Sequence, residues 1–137
     1  MNKLKISILL MLYDAGEKGL TDKQIADRLD INKKGFKKLE TALSEMKQHN
    51  DIAYKKGMCW IKHPEQFFKA EVTRVTPKSG FIRQLGDMPV EYFVRGRDLM
   101  GSIPGDIVLA KQTAEADERF SAEAVVVSVL EANNGLQ

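Results

Sequence analysis

The sequence predicts an α+β protein in two parts, three helices with a β-hairpin first and a five-stranded β-barrel second. Two observations carry that prediction. Apolar spacing changes from helical to strand-like near Pro64, and the charge balance changes sign at about the same place. Residues 1–66 hold 13 Lys/Arg against 9 Asp/Glu, a net charge of +4, whereas residues 67–137 hold 8 against 10, a net charge of −2. At 137 residues, 43% hydrophobic and 29% charged, the chain suffices for one ordinary domain or two small ones, and its composition excludes a disordered protein.

The first element is the segment KLKISILLMLYDA. Two lysines before a mostly apolar run superficially resemble a secretory signal, but Asp14 interrupts the run and no A-x-A-like site follows. Ile6, Leu9, Leu10 and Tyr13 have helical spacing, and the run is far shorter than the ~20 residues that span a bilayer. The segment therefore reads as a buried first helix. Cys59 is the only cysteine, which rules out an internal disulfide and points to a reducing, cytoplasmic setting with no membrane role.

In LTDKQIADRL, Thr21 and Gln24 have capping-box spacing, and Leu20 and Ile25 stand where a hydrophobic staple packs. This second helix docks through Ile25, Ala26 and Leu29 and stops near Asp30. A third begins after Asn32 and runs to about His49, with Phe36, Leu39, Leu43 and Met46 on one stripe and Lys33, Lys34, Lys37 and Lys38 on the other side. DIAYKK and MCWIK flank Gly57 as a hairpin. Three helices followed by a hairpin is the winged helix-turn-helix plan, expected over residues 1–64. A basic face opposite a core stripe is often only solvated. Lys55, Lys56 and an outward Tyr54 or Trp60 on the hairpin favour nucleic-acid contact for the face as a whole.

The KHPEQF segment is the expected linker. Beyond it, FKAEVTRVT, SGFIRQ, VEYFVRG, GDIVLAKQT and AEAVVVSVLE are strand-like runs separated by turn residues, with one helical turn expected at RDLMGS. Five short strands suggest an OB-type barrel over residues 67–133. In TPKSGFIRQLGDMPVEYFVRG two strands flank a Gly-Asp turn. Tyr92 and Phe93 are neighbours on one strand, so they must point to opposite faces. If Phe81 and Tyr92 simply fill the barrel, Phe93 is left without a reason. Rings flanked by Lys78, Arg83, Arg95 and Arg97 suit a single nucleic-acid strand, whose bases stack on aromatics while cations follow the phosphates.

Catalytic chemistry finds little support. His49 and His63 have no spacing to Cys59 or a carboxylate that suits a zinc site or a nucleophile pair. The acidic run Glu115–Glu118 reads as a solvated loop, and no phosphate-cradling glycine loop precedes a helix. Neither a cofactor nor a small-molecule substrate is expected on this chain.

The stretches TPKSGFI, EYFV and DLMGSIPGDIVLAK, with the tail AEAVVVSVLE, resemble the first cold-shock-like domain of the ribonuclease R branch of the ribonuclease II family, and the preceding residues resemble the winged helix before it. By position, Gly80-Phe81-Ile82 and Phe93-Val94 match the family's second- and third-strand motifs and Gly105-Asp106 matches a turn. Ser79 stands where the family often has another aromatic. The resemblance implies an RNA-binding accessory region of a Mg²⁺-dependent 3′–5′ exoribonuclease whose aspartate-rich catalytic domain, with its Mg²⁺, lies outside this chain, so that these residues bind RNA and do not cut it. Single-stranded RNA is the main expected partner, with duplex RNA or the ribosome open to the winged helix. The alternatives are a free-standing winged-helix DNA-binding regulator and a protein-interaction module.

Overall fold

The computed structural model describes residues 2–87 and 89–133. It is an α+β chain with three α-helices and a closed five-stranded barrel of OB-like form. Its contacts divide it into two compact units, residues 1–64 and 65–137.

In the first unit, helix α1 (Lys3–Ala15) starts at Asn2, whose side chain accepts from the Lys5 N–H at 2.9 Å. Its buried residues are Ile8, Leu9 and Leu12. The helix expected from the spacing of Ile6, Leu9, Leu10 and Tyr13 forms, and because α1 packs on both a later helix and a later strand, its covered face centres on Ile8, Leu9 and Leu12 while Ile6, Leu10 and Tyr13 are half-buried. Strand β1 (Leu20–Thr21) leads into helix α2 (Asp22–Arg28). The capping box is present, with the Gln24 N–H donating to Thr21 Oγ1 at 3.0 Å and the Thr21 N–H donating to Gln24 Oε1 at 2.8 Å. Helix α3 (Lys33–Gln48) is capped by Asn32, whose Oδ1 accepts from the Gly35 N–H at 3.0 Å. It buries Leu39, Ala42, Leu43 and Met46, while Phe36 sits half-buried at the stripe's edge.

The hairpin pairs β2 (Ile52–Lys55) with β3 (Met58–Ile61) through a two-residue turn at Lys56 and Gly57. Both turn residues have positive φ, 52° and 79°, the requirement of a type I′ turn. Strand β1 pairs with the other side of β3, making a sheet of order β1-β3-β2. Sequence reading misses β1 because two residues carry no periodicity. Asp22 ties α2 to the hairpin: its N–H donates to the Gly57 carbonyl at 2.8 Å, and its Oδ2 accepts from the Tyr54 hydroxyl at 2.9 Å.

Cys59 lies fully buried in this sheet. Burial, and then the charge of Asp22, push its thiol up to about 12. Burial, with the Asp22 hydrogen bond, likewise raises the Tyr54 phenol. An unfolded thiol loses its proton near pH ~8.5, so between there and about pH 12 the folded state holds a proton that the unfolded state has released. Stability from this group is therefore full below pH ~8.5 and is lost as pH rises. We expect Cys59 to resist thiol reagents until the unit unfolds, and the urea midpoint followed by Trp60 fluorescence to fall between pH 8 and pH 10. Cys59→Ala should lessen that fall; an equal slope in parent and variant would reject the thiol as its cause.

A 3₁₀ turn at Pro64–Gln66 straddles the boundary and leads into the strands of the second unit. Its strands are β4 (Phe67–Val75), β5 (Ser79–Gln84), β6 (Glu91–Arg95), β7 (Ile107–Ala114) and β8 (Ala122–Glu131), closed in the order β4-β5-β6-β8-β7. All neighbours are antiparallel except β6 and β8. The core includes Phe68, Ala70, Val72, Ile82, Tyr92, Val94, Leu99, Val108, Ala110 and Val126. Inside it the rings of Phe68 and Tyr92 stack with centroids 4.4 Å apart. The Gly-Asp turn after β5 opens into a loop to Val90, within which Met88 lies outside the described residues. The helical turn expected at RDLMGS is a 3₁₀ turn over Gly96–Asp98, followed by Met100 and Gly101 at positive φ.

Candidate nucleic-acid interface

The alternation of β6 decides which ring faces water. Tyr92 and Val94 point into the barrel, leaving Phe93 on its outer surface. Phe81 is Phe93's direct partner on β5 and shares that surface, with ring centroids 5.7 Å apart in a T-shaped contact. The reading in which Phe81 fills the barrel is thus corrected: Gly80 and Ile82 take the inward positions on β5. A Cβ at Gly80 would lie 2.8 Å from the Arg74 carbonyl oxygen and 3.0 Å from Leu99, so any side chain there would push β4 or the Leu99 turn away.

Arg74 enters the site through a β-bulge. In regular alternation it would share the inward face of β4 with Phe68, Ala70 and Val72. The pairing with β5 slips between Val72 and Arg74, so Arg74 stands opposite Phe81 and its guanidinium covers the Phe81 ring at 4.3 Å. The Thr73 hydroxyl donates to the Phe81 carbonyl at 3.1 Å, satisfying an acceptor at the bulge. Across four strands the paired row reads Arg74, Phe81, Phe93, Glu123.

Of the cations expected here, Arg95 is opposite Ser79 and forms an ion pair with Glu123 at 3.7 Å. Lys78 and Arg97 are exposed in turns brought together by the Gly96 N–H, which donates to the Lys78 carbonyl at 2.8 Å. Arg83 projects on the same face as Phe81, about 7 Å along the strand. Its direct partners are Glu71 on β4 and Glu91 on β6, which oppose its charge. Arg74, Arg119, Phe120 and Glu123 carry no signal in the sequence that marks them for this surface. The last three line an open groove of about 460 Å³ with Phe81, Phe93 and Arg95.

In the first unit Lys33, Lys34, Lys37 and Lys38 are all exposed, as are Lys55 and Lys56 at the hairpin turn. Lys33 borders a groove shared with Lys23 and Ala26 of α2, whereas Lys38 borders one shared with Leu4 of α1. The basic face of α3 is therefore broad. Trp60 is half-buried and lines a pocket with Leu12, Tyr13 and Pro64. Among the described residues no three His, Cys, Asp or Glu side chains converge as metal ligands, and no helix is long and apolar enough to cross a membrane.

Among solved structures the chain is similar to the apo form of Mycoplasma genitalium RNase R and to the same RNase R in complex with ribose methylated single-stranded RNA. Each match has 28% identity and a TM-score of 0.42, and covers 47% of this chain. The match spans only 10% of those chains. No protein-family model and no curated protein matches the chain.

Proposed function

We propose that this chain is an RNA-binding accessory region of a ribonuclease R-like 3′–5′ exoribonuclease, with Mg²⁺ and cleavage belonging to a catalytic domain outside it. The barrel holds a single strand on the outer face of β5 and β6. The observation that carries this reading is the outward aromatic pair Phe81–Phe93 within a row that Arg74 opens, with Arg95 beside it. A soluble barrel stabilises itself by burying such rings, so two adjacent outward rings among cations suit base stacking with phosphate contact. The sequence resemblance to the family's strand motifs agrees. The first unit is read as a winged helix-turn-helix that adds contacts to duplex RNA, the ribosome or protein, and a cytoplasmic location fits the lone buried thiol.

Titration of labelled single-stranded RNA against duplex DNA tests the reading. Tighter binding of the single strand is expected; tighter binding of duplex DNA would favour a DNA-binding regulator, for which the broad lysine face of α3 is the supporting feature. Replacing Lys33, Lys34, Lys37 and Lys38 together with Gln measures that face. Each lysine that no longer neutralises a phosphate lowers the slope of log K against log salt by about 0.7 for a single strand or 0.9 for B-form DNA. The four side chains are exposed, so stability should hold within about 0.5 kcal/mol. An unchanged slope would assign the lysines to solvent and the first unit to protein docking.

A further inference from the structure

The acidic loop between β7 and β8 holds a ring that nothing in its composition explains. Phe120 is 69% exposed, so burial does not account for its presence. Its backbone is nevertheless fixed. The Phe120 and Arg119 N–H groups both donate to Asp117 Oδ1 at 2.8 Å, and the Asp117 N–H donates back to the Phe120 carbonyl at 3.0 Å. These donors hold the Asp117 carboxyl below its ordinary value. The turn thus orders the main chain while leaving the ring in water, at the edge of the groove that Phe93 and Phe81 also line.

The two strand rings are not equivalent. One face of Phe81 is already covered by the Arg74 guanidinium at 4.3 Å, so a base stacking there would first have to displace a cation. Among the described residues no cation covers Phe93, and its paired neighbour on β8 is Glu123, whose carboxylate is held by Arg95. A carboxylate and a guanidinium side by side supply an acceptor and donors to the edge of a base. Arg119, next to Phe120, adds positive charge at the groove's mouth, complementary to a phosphate backbone.

We propose that the groove between Phe93 and Phe120 is a nucleobase subsite for single-stranded RNA, with Phe120 as its second stacking ring and Asp117 as the residue that positions it. This rests on the reading of the barrel as a single-strand binder and shifts the stacking centre from the Phe81–Phe93 pair toward the β7–β8 loop. The pair Arg95–Glu123 reads the edge of the seated base, and Arg119 meets a phosphate.

The test is a fluorescence-anisotropy titration of the whole chain with a labelled mixed-sequence single-stranded RNA 12-mer. Phe120→Ala should weaken binding about 5- to 150-fold, in the range expected for removing one stacking ring. Phe120→Trp should retain it. Asp117→Ala should weaken binding as Phe120→Ala does, with no further loss in the double variant, whereas Asp117→Asn, which keeps the Oδ1 acceptor, should bind like the parent. Arg119→Gln should lower the salt slope by about 0.7 and Phe120→Ala should leave it unchanged. If Phe93→Ala weakens binding while Phe120→Ala matches the parent, the subsite is overturned and the single-strand reading stands. A parent that fails to bind the 12-mer overturns both. If sedimentation shows that Phe120→Ala dissolves a dimer while RNA affinity is untouched, the ring is a contact between copies and the proposal fails.

Discussion

Phe93→Ala will weaken binding of single-stranded RNA by about 1–3 kcal/mol and leave the barrel folded. The ring lies on the outer surface of β6, while the inward positions on either side are held by Tyr92 and Val94, which the substitution does not touch. What it removes is one outward, half-buried ring and its edge contact to Phe81. Lys78, Arg95 and Arg97 remain, so the salt dependence should stay near the parent's while affinity falls at every salt concentration. Phe93→Tyr or Phe93→Trp should keep most of the affinity, since stacking depends on the aromatic face. Anisotropy titrations at three salt concentrations, with circular dichroism as a check on folding, decide it. Equal affinity in parent and Phe93→Ala would make the Phe93 ring structural or idle.

Asp106→Ala will destabilise the barrel by about 2–4 kcal/mol. Asp106 is buried where β7 begins. Its Oδ2 accepts from the Ile103 N–H at 2.9 Å and its Oδ1 from the Asn133 N–H at 2.6 Å. The backbone contributes separately: the Asp106 carbonyl accepts from the Val72 N–H at 2.9 Å, and the Gly105 N–H donates to the Val72 carbonyl at 2.8 Å. The carboxylate therefore joins the turn before β7 to the segment after β8, at a point where main-chain bonds already hold β4. Alanine keeps the main-chain bonds and strands two N–H donors. Urea denaturation followed by far-ultraviolet circular dichroism should show the loss, with Asp106→Asn losing less because its amide retains one acceptor. A parent-like midpoint in Asp106→Ala would mean that water replaces the carboxylate without cost.

Several elements are legible because their signals are local. The capping box at Thr21 and Gln24, the start of α3 after Asn32 and the strand-like runs of the barrel each depend on residues a few positions apart, and the structure forms all of them. The opposite orientation of Tyr92 and Phe93 follows from strand geometry alone. Which of the two faces outward does not, since both are aromatic and either can fill a core.

Local patterns in the chain are enough to set three helices and a hairpin ahead of a barrel of short strands, because periodicity and turn residues act over a few bonds. They also require an aromatic ring to stand outside the barrel, because two adjacent strand residues cannot share one face. The composition of the proposed site comes from long-range packing instead. A bulge in β4 turned Arg74 from the inward face to the Phe81 ring. Parallel pairing of β6 with β8 set Glu123 beside Phe93. The Asp117 turn brought Phe120, 27 positions further along the chain, to the same groove. Register slips and pairings between distant strands are fixed by how the whole barrel closes, and no window of neighbouring residues carries that information.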